Sequence, residues 1–483
     1  MRWHSKPYAS FKKRSGDFVQ EMGNTGRSGS EYYYMSIEAS VKQLIDLVAI
    51  GPDRVCCFFS HDRPFSAIVT ANHNQGEWPM PTLSTYDQFD GRHWETGSVC
   101  NFFAARGFTA PHTAQPYSEA LLLGISGGIT FGYFTFHYEG YDPQCNILTR
   151  NTFDPLDTLL ARLGVVQERR QTAVAERAAA ILQDTLAGGE PAIVWADMWS
   201  LPYNVLTHDE GLWGALPIVV YGYDTDADVV RIADRAAVPL TVTTAELAAA
   251  RGRIKKIKHR LLTLDAPRPE KLATAVRQGL ADTVRLMTEK PPKGSANNFG
   301  LQGLATWAEM LRAPKGRKSW AALFPAGPAF YAGLTSAYEF ACLFGKGTAE
   351  DAERGLYADF LDEAAVLLEQ PALRETAVRY RRAAAAWREL PALLLPDEVL
   401  PFAETRALMR RKHGLFLEQG GAALDEIVAI NKRLAAIRAS MKTDFPLTGA
   451  ETARLQEALA EGIMRIRAAE ETAVAGVKEA LGT

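Results

Sequence analysis

The texture of the chain changes once, near Pro267, and that change limits the folds open to it. Upstream, helical and strand patterns alternate. Downstream the sequence is rich in Ala, Leu and Arg at helical spacing almost to its end. Helices mixed with a strand-rich stretch and then a long helical run argue for an α+β domain followed by an all-helical region. At 483 residues the chain has room for two or three domains. The expected boundaries are an N-terminal extension or early-start-codon sequence at 1–79 and an α+β domain at 80–266. A helical domain at 267–400 and a C-terminal helical hairpin at 401–483 follow.

Local signals fill in these blocks. Residues 95–106 read as a short helix closed by Gly107, and Ser118 as the N-cap of a helix ending at Gly124. Aromatic and β-branched residues from Ile129 to Tyr138 predict a strand. An Ala-rich helix over 172–187 precedes PAIVWADMW, a buried strand. LPIVVYGYD and VVRIAD, joined by Asp224-Thr225-Asp226, predict an antiparallel pair. Beyond Pro267 the helices expected include 357–368, 373–387, 424–437 and 451–481, the last two forming the hairpin.

Composition excludes several function classes. Lys plus Arg total 53 against 56 for Asp plus Glu, so no broad basic surface favours nucleic acid. No apolar run approaches the ~20 residues that span a bilayer, and membrane partners are not expected. Five cysteines without a CxxC spacing argue against a disulfide framework and fit a reducing, cytoplasmic setting.

Three motifs read better as structure than as chemistry. His93-Trp94-Glu95 has the H-x-E half of a zinc deaminase signature but lacks the P-C-x-x-C half, so no metal is expected. The glycines of GISGGI lack the Lys-Ser/Thr of a phosphate loop and read as a tight helix-to-strand connection. The basic run RGRIKKIKHR, with Ile254 and Ile257 interleaved, reads as a half-buried edge element with a solvated face.

One constellation is more informative: GRHWETGSV, YSEALLLGISGGITFGYF, DMWSLPY, LPIVVYGYD and VVRIAD, in that order over residues 91–234. This region resembles the N-terminal domain of butirosin biosynthesis protein H, a relative of papain-like cysteine acyltransferases. Residues 268–400, with GLYADFL at 355–361, resemble the uncharacterised helical domain that often follows it. The resemblance implies a papain-like α+β fold for 80–266. It also implies a Cys at a helix N-terminus that takes an acyl group from a carrier-protein thioester and passes it to an amine. A His opening a strand H-Y-x-V-x-G-Y-D would assist, oriented by an Asp on the next strand.

In this chain Trp94 stands at the Cys position and Leu216 at the His position; only Asp234 is retained. The candidate catalytic residues are therefore Ser98, Cys100, His208 and Asp234. Ser98 lies about 40° from the Trp94 face of an ideal helix and Cys100 about 240° round from it. His93, Trp94, Glu95, Asp197, Tyr203, Leu216 and Asp224 are candidate substrate-binding residues, and no cofactor is implied. Two functions follow. One is an acyl- or amide-handling enzyme of specialised or peptide metabolism with a degenerate Cys-His-Asp triad. The other is a non-catalytic module that binds a carrier-bound acyl chain or a protein partner. The expected partners are an acyl carrier protein or an acyl or amine small molecule, with the C-terminal helices as a surface for self-association.

Overall fold

The computed structural model describes residues 82–206, 211–289 and 297–482. The expected extension at 1–79 and His208 lie outside the described residues. The first half contains helices α1 (Trp94–Ala105), α2 (Glu119–Ile125), α3 (Pro155–Leu163), α4 (Ala175–Ala187) and α5 (Thr244–Gly252). Its strands are β1 (Ile129–Phe136), β2 (Gln144–Arg150), β3 (Gln167–Arg170), β4 (Ala192–Asp197), β5 (Ala215–Asp224), β6 (Val229–Ala233), β7 (Leu240–Val242) and β8 (Leu261–Leu264). The second half is helical: α6 (Leu272–Thr288), α7 (Gly300–Arg312), α8 (Pro328–Tyr338), α9 (Arg354–Leu367), α10 (Ala372–Arg388), α11 (Leu400–Gln419), α12 (Leu424–Ser440) and α13 (Gly449–Leu481). The chain is thus mixed α+β with a helical C-terminal region. Among the described residues no helix is long and apolar enough to cross a membrane.

Six strands form one antiparallel sheet in the order β3-β8-β4-β5-β6-β7. Alternation along the central strands explains its burial. Ile193, Trp195, Val219 and Tyr221 enter one core with Val99 and Phe102 of α1. Val194, Ala196, Ile218 and Val220 point the other way, into a core shared with Leu182 of α4 and Leu247 of α5. A sheet covered on both faces needs continuous apolar strands, which is why β4 and β5 read as unbroken runs. Leu415 and Phe416 of α11, with Ile427 and Ile430 of α12, extend the second core.

The helical region is packed into the same mass. The core below α1 continues through Leu280 of α6, Tyr357 and Leu361 of α9 and Tyr380 of α10, crossing the 266/267 boundary. The hairpin β1–β2 leaves the large sheet altogether. It lies among α6, α7 and α8, where Phe131, Tyr133 and Ile147 share a core with Trp307 and Trp320. A single guanidinium fixes this arrangement. Arg354, fully buried, donates to the carbonyls of Thr130 (2.8 Å), Thr149 (2.7 Å) and Ala352 (2.7 Å), and to Glu470 Oε1 at 2.5 Å. The Trp387 indole donates to the same carboxylate oxygen at 2.7 Å.

Three expectations are corrected. Helix α2 does not stop at Gly124 but runs to Ile125. The glycine serves packing, because a Cβ there would lie 2.3 Å from the Phe360 ring. The basic run at 251–260 is half-buried with a solvated face, as the sequence indicates, but it forms no sheet edge. It is the end of α5 and a 3-10 turn, with Arg251 buried, Lys256 over the Trp213 ring and Arg260 over the Trp195 ring. Helices α12 and α13 are not a packed hairpin either. Helix α12 packs on α11, whereas α13 lies along α10 and α7, where its Ile463, Ile466 and Val474 are buried. A continuous apolar stripe on α13 is satisfied by two earlier helices, so nearness in sequence does not choose the partner.

Removing the Arg354 clamp leaves Glu470 buried without its counter-charge. Arg354→Leu should lower stability by about 3–5 kcal/mol, read as a fall in the urea midpoint. Adding Glu470→Leu should restore part of it. An unchanged midpoint in the single variant would refute the clamp.

Candidate functional site at the groove between α1 and β5

Helix α1 starts where the chain supplies a cap. His93 Nδ1 accepts from the backbone N–H of Glu95 at 3.3 Å, and Glu95 sits in the first turn, where a carboxylate favours the helix dipole. Gly91 and Gly97 allow this start: a Cβ on either would collide with the other's backbone at less than 3 Å. Glu119, from the first turn of α2, binds the outer side. It accepts from the N–H groups of Arg92 (2.6 Å) and His93 (3.0 Å) and from the Thr96 hydroxyl (2.7 Å).

Trp94 and Leu216 meet, as the sequence expectation required. Both are 3% exposed and share one apolar cluster with Met198, Trp199 and Leu212. They also line one small cavity together with His93, Arg150, Phe340, Phe344 and Lys346. The Phe344 ring lies 4.5 Å from the indole. On another side the Arg235 guanidinium sits 4.4 Å from the Trp94 ring and 4.5 Å from the Phe416 ring, between two aromatic faces. Each cation–π contact is worth about 0.5–2 kcal/mol, so the indole is held on several sides.

The hydroxyl and thiol closest in sequence are engaged elsewhere. Ser98 points towards β5, as its helical position predicts, but its Oγ donates to the carbonyl of Pro217 at 3.0 Å. Cys100 points away from the groove. Its thiol donates to the Tyr117 carbonyl at 3.4 Å, and burial, with Glu119 and Asp90 nearby, pushes the thiol well above its ordinary range. Neither has an imidazole within hydrogen-bond distance among the described residues. Burial also lowers His93, with Arg150 adding to the effect, so its ring is neutral at pH 7.

Asp234 is buried and committed. It accepts from the Tyr203 hydroxyl at 3.2 Å and from Arg235 Nε at 3.3 Å. Burial first, and then Asp234, raises the Tyr203 phenol. Asp197 accepts from Ser200 Oγ (2.7 Å) and the Gly214 N–H (2.8 Å), which pins both ends of the segment between β4 and β5. Asp224 accepts from the Ala227 N–H at 2.7 Å and shapes the β5–β6 turn. The groove therefore brings together His93, Trp94 and Leu216, with Asp234 reaching it through Arg235. Asp197 and Asp224 make structural bonds outside it. Among the described residues no three His, Cys, Asp or Glu are grouped to hold a metal ion.

Sequence reasoning missed Arg235, Phe344 and Lys346. Arg235 follows directly on Asp234, and Phe344 and Lys346 flank a glycine in LFGKGT, a stretch with no motif of its own. Gly345 has φ +63°, and a Cβ there would lie 2.6 Å from the Trp94 ring and 3.2 Å from His93. Only glycine lets this loop from the helical region close over α1.

A helix N-terminus facing a six-stranded antiparallel sheet, closed by a helical region, defines an α+β domain with its groove at the α1–β5 junction. Residues 93–235 match the family described as butirosin biosynthesis protein H, N-terminal. The match opens on the His93 cap and closes on Arg235, so it spans the residues that form the groove except Phe340, Phe344, Lys346 and Arg150's partner Glu353. Comparison with curated proteins found no match.

Two measurements check this electrostatics. Iodoacetamide at pH 8 should leave Cys100 unmodified in the folded protein and alkylate it in guanidinium, as read by peptide mass spectrometry. Rapid native labelling would contradict its burial. Glu353 gives a pH test. Burial would raise its carboxyl, but Arg150 and Lys346 overcome this and hold it far below the usual range. Its stabilising effect is complete above the unfolded value of about 4.3 and is lost as pH falls below it. Glu353→Gln should be less stable at pH 7 and show a shallower loss of stability between about pH 5 and 3. An acid limb as steep as wild type would contradict the assignment.

Proposed function

We propose that this is a butirosin-H-like protein of acyltransferase ancestry, with a papain-like α+β domain, that binds an acyl chain and does not transfer it by Cys-His-Asp chemistry. The observation that carries the reading is the filled groove. An indole and a leucine occupy the positions where the family resemblance implies a thiol and an imidazole, and both are sealed at 3% exposure. A nucleophilic hydroxyl or thiol needs a base at hydrogen-bond distance, and Ser98 and Cys100 donate to backbone carbonyls instead.

A cleft next to the plug supports binding. It lies between the segment after β4, the π-helical segment Glu339–Leu343 and helices α11 and α12. Met198, Leu343, Met409, Phe416 and Ile427 supply apolar walls. Arg235 and Lys412 supply cationic groups, suited to the polar end of a carrier-linked chain. Apolar walls with a few placed polar groups are the ordinary composition of a ligand site. Arg235 touches both the plug and the cleft through Trp94 and Phe416, so a ligand against Phe416 would be sensed at Trp94.

Titration with a decanoyl thioester, followed by tryptophan fluorescence, should saturate. Ser98→Ala and Cys100→Ala should bind as wild type does, whereas Phe416→Ala should weaken binding by about tenfold or more. Release of free thiol at a catalytic rate that Ser98→Ala or Cys100→Ala abolishes would overturn the reading in favour of an enzyme.

A further inference from the structure

The groove that has no thiol at Trp94 does contain an amine. Lys346 lines the cavity with Trp94 and Leu216, and it also lines a larger polar cleft on the α2 and α9 side. It is delivered there by Gly345, whose positive φ and missing Cβ let the backbone rest on the indole. We propose that Lys346 Nζ is an acyl-accepting amine of this groove, modified by small acyl thioesters. The proposal rests on the acyl-binding reading above and adds to it a covalent site on the helical region.

Hydrogen bonding supports it. Nζ donates to the carbonyls of Phe340 (3.0 Å) and Phe344 (2.7 Å). A charged ammonium has three hydrogens to place, whereas a neutral amine has two and keeps a lone pair. Two carbonyls take two of these hydrogens, so when the third proton is lost Nζ stays anchored and offers its lone pair to an electrophile in the cavity. No carboxylate among the described residues pairs with Lys346 at ion-pair distance. The groups facing it are Glu353 at the N-cap of α9, Arg354 of α9, Arg150 of β2, Cys342 of the preceding π-helical turn, His93 of the α1 cap and His413 of α11. Burial is the main effect and Arg150 adds to it, while Glu353 opposes both. The amine is lowered to about 8.

The cavity walls suit a short chain. Ile147, Leu148, Phe340 and Phe344 are apolar and line the same small cavity as the amine. In the step itself the Lys346 lone pair attacks the thioester carbonyl and a C–N bond forms. The C–S bond then breaks, and the thiolate leaves with the proton the nitrogen loses. The product is an amide, so each chain reacts once and holds its acyl group.

The test uses the full chain and a butyryl thioester of N-acetylcysteamine, with amide formation read on each lysine peptide by mass spectrometry. Lys346 should acylate at least tenfold faster than exposed lysines, with a rate that rises through about pH 8. Unfolding in guanidinium should abolish the advantage. Lys346→Arg should lose the label at this position while keeping its circular dichroism spectrum and its thioester-binding fluorescence change. Labelling of Lys346 no faster than exposed lysines, with ligand binding intact, would overturn the lysine proposal and leave the binding reading standing. Fast labelling without saturable binding in the α11–α12 cleft would do the reverse.

Discussion

The position of every groove residue depends on how a few buried guanidinium groups are satisfied. Arg354 has no exposed surface, and an unpaired buried charge would cost several kcal/mol, about as much as an average domain has to spare. It is accommodated because β1, β2 and α13 each bring an acceptor, in Thr130, Thr149 and Glu470. The neighbouring Glu353 does the same for Arg150, whose other nitrogen reaches Thr96 of α1 at 2.9 Å. The start of α9 thus connects the β1–β2 hairpin, the long final helix and the helix that opens the groove. The helical region is part of the site's framework for this reason, and the loop carrying Phe344 and Lys346 precedes α9 by only a few residues.

Local rules recovered much of this architecture from the sequence. Ser118 caps α2 through the Leu121 N–H at 3.0 Å, and β5 pairs with β6 as the turn residues indicate. The pairing of Trp94 with Leu216 was also legible, because a family pattern fixes which strand a helix N-terminus faces. Features that depend on distant partners were not. Nothing near Gly124 announces that Phe360 will lie against it, and a helix-breaking residue is the natural local reading. The α13 stripe has the period of a hairpin partner, yet α10 and α7 bury it. Lys346 looks like an ordinary loop lysine until the fold supplies two carbonyls and an aromatic wall. Short-range chemistry is written in the sequence, while the sign and reach of a buried charge depend on packing.

The indole and the leucine of the groove do more than fill space. A groove lined with polar groups would keep water at its floor, and that polar surface would weaken the core beneath it. Trp94 and Leu216 remove that burden, since burying a leucine side chain alone contributes about 1.5–3 kcal/mol. A buried carboxylate beside this apolar plug needs a partner. Asp234 finds it in the adjacent Arg235 and in Tyr203. Arg235 in turn needs more than one carboxylate, and the faces of Trp94 and Phe416, with Asn204 at 2.7 Å, complete its surroundings. Each residue in this sequence of contacts makes the next one's role necessary.

That linkage explains why the apolar plug and the cleft are adjacent and not separate features. The Arg235 guanidinium is shared: one face belongs to the indole that closes the groove, the other to the Phe416 ring that forms a cleft wall. A ligand that displaced Phe416 would loosen Arg235, and Arg235 could not move without uncovering Trp94 and breaking its bond to Asp234. Lys346 sits on the opposite side of the same indole, with Gly345 in contact with it. His413 of α11 meets the Lys346 carbonyl at 2.9 Å, giving a second route from cleft to amine. A change in the cleft therefore has two short mechanical paths to the groove, one through stacked rings and one through a hydrogen bond, and both end at Trp94.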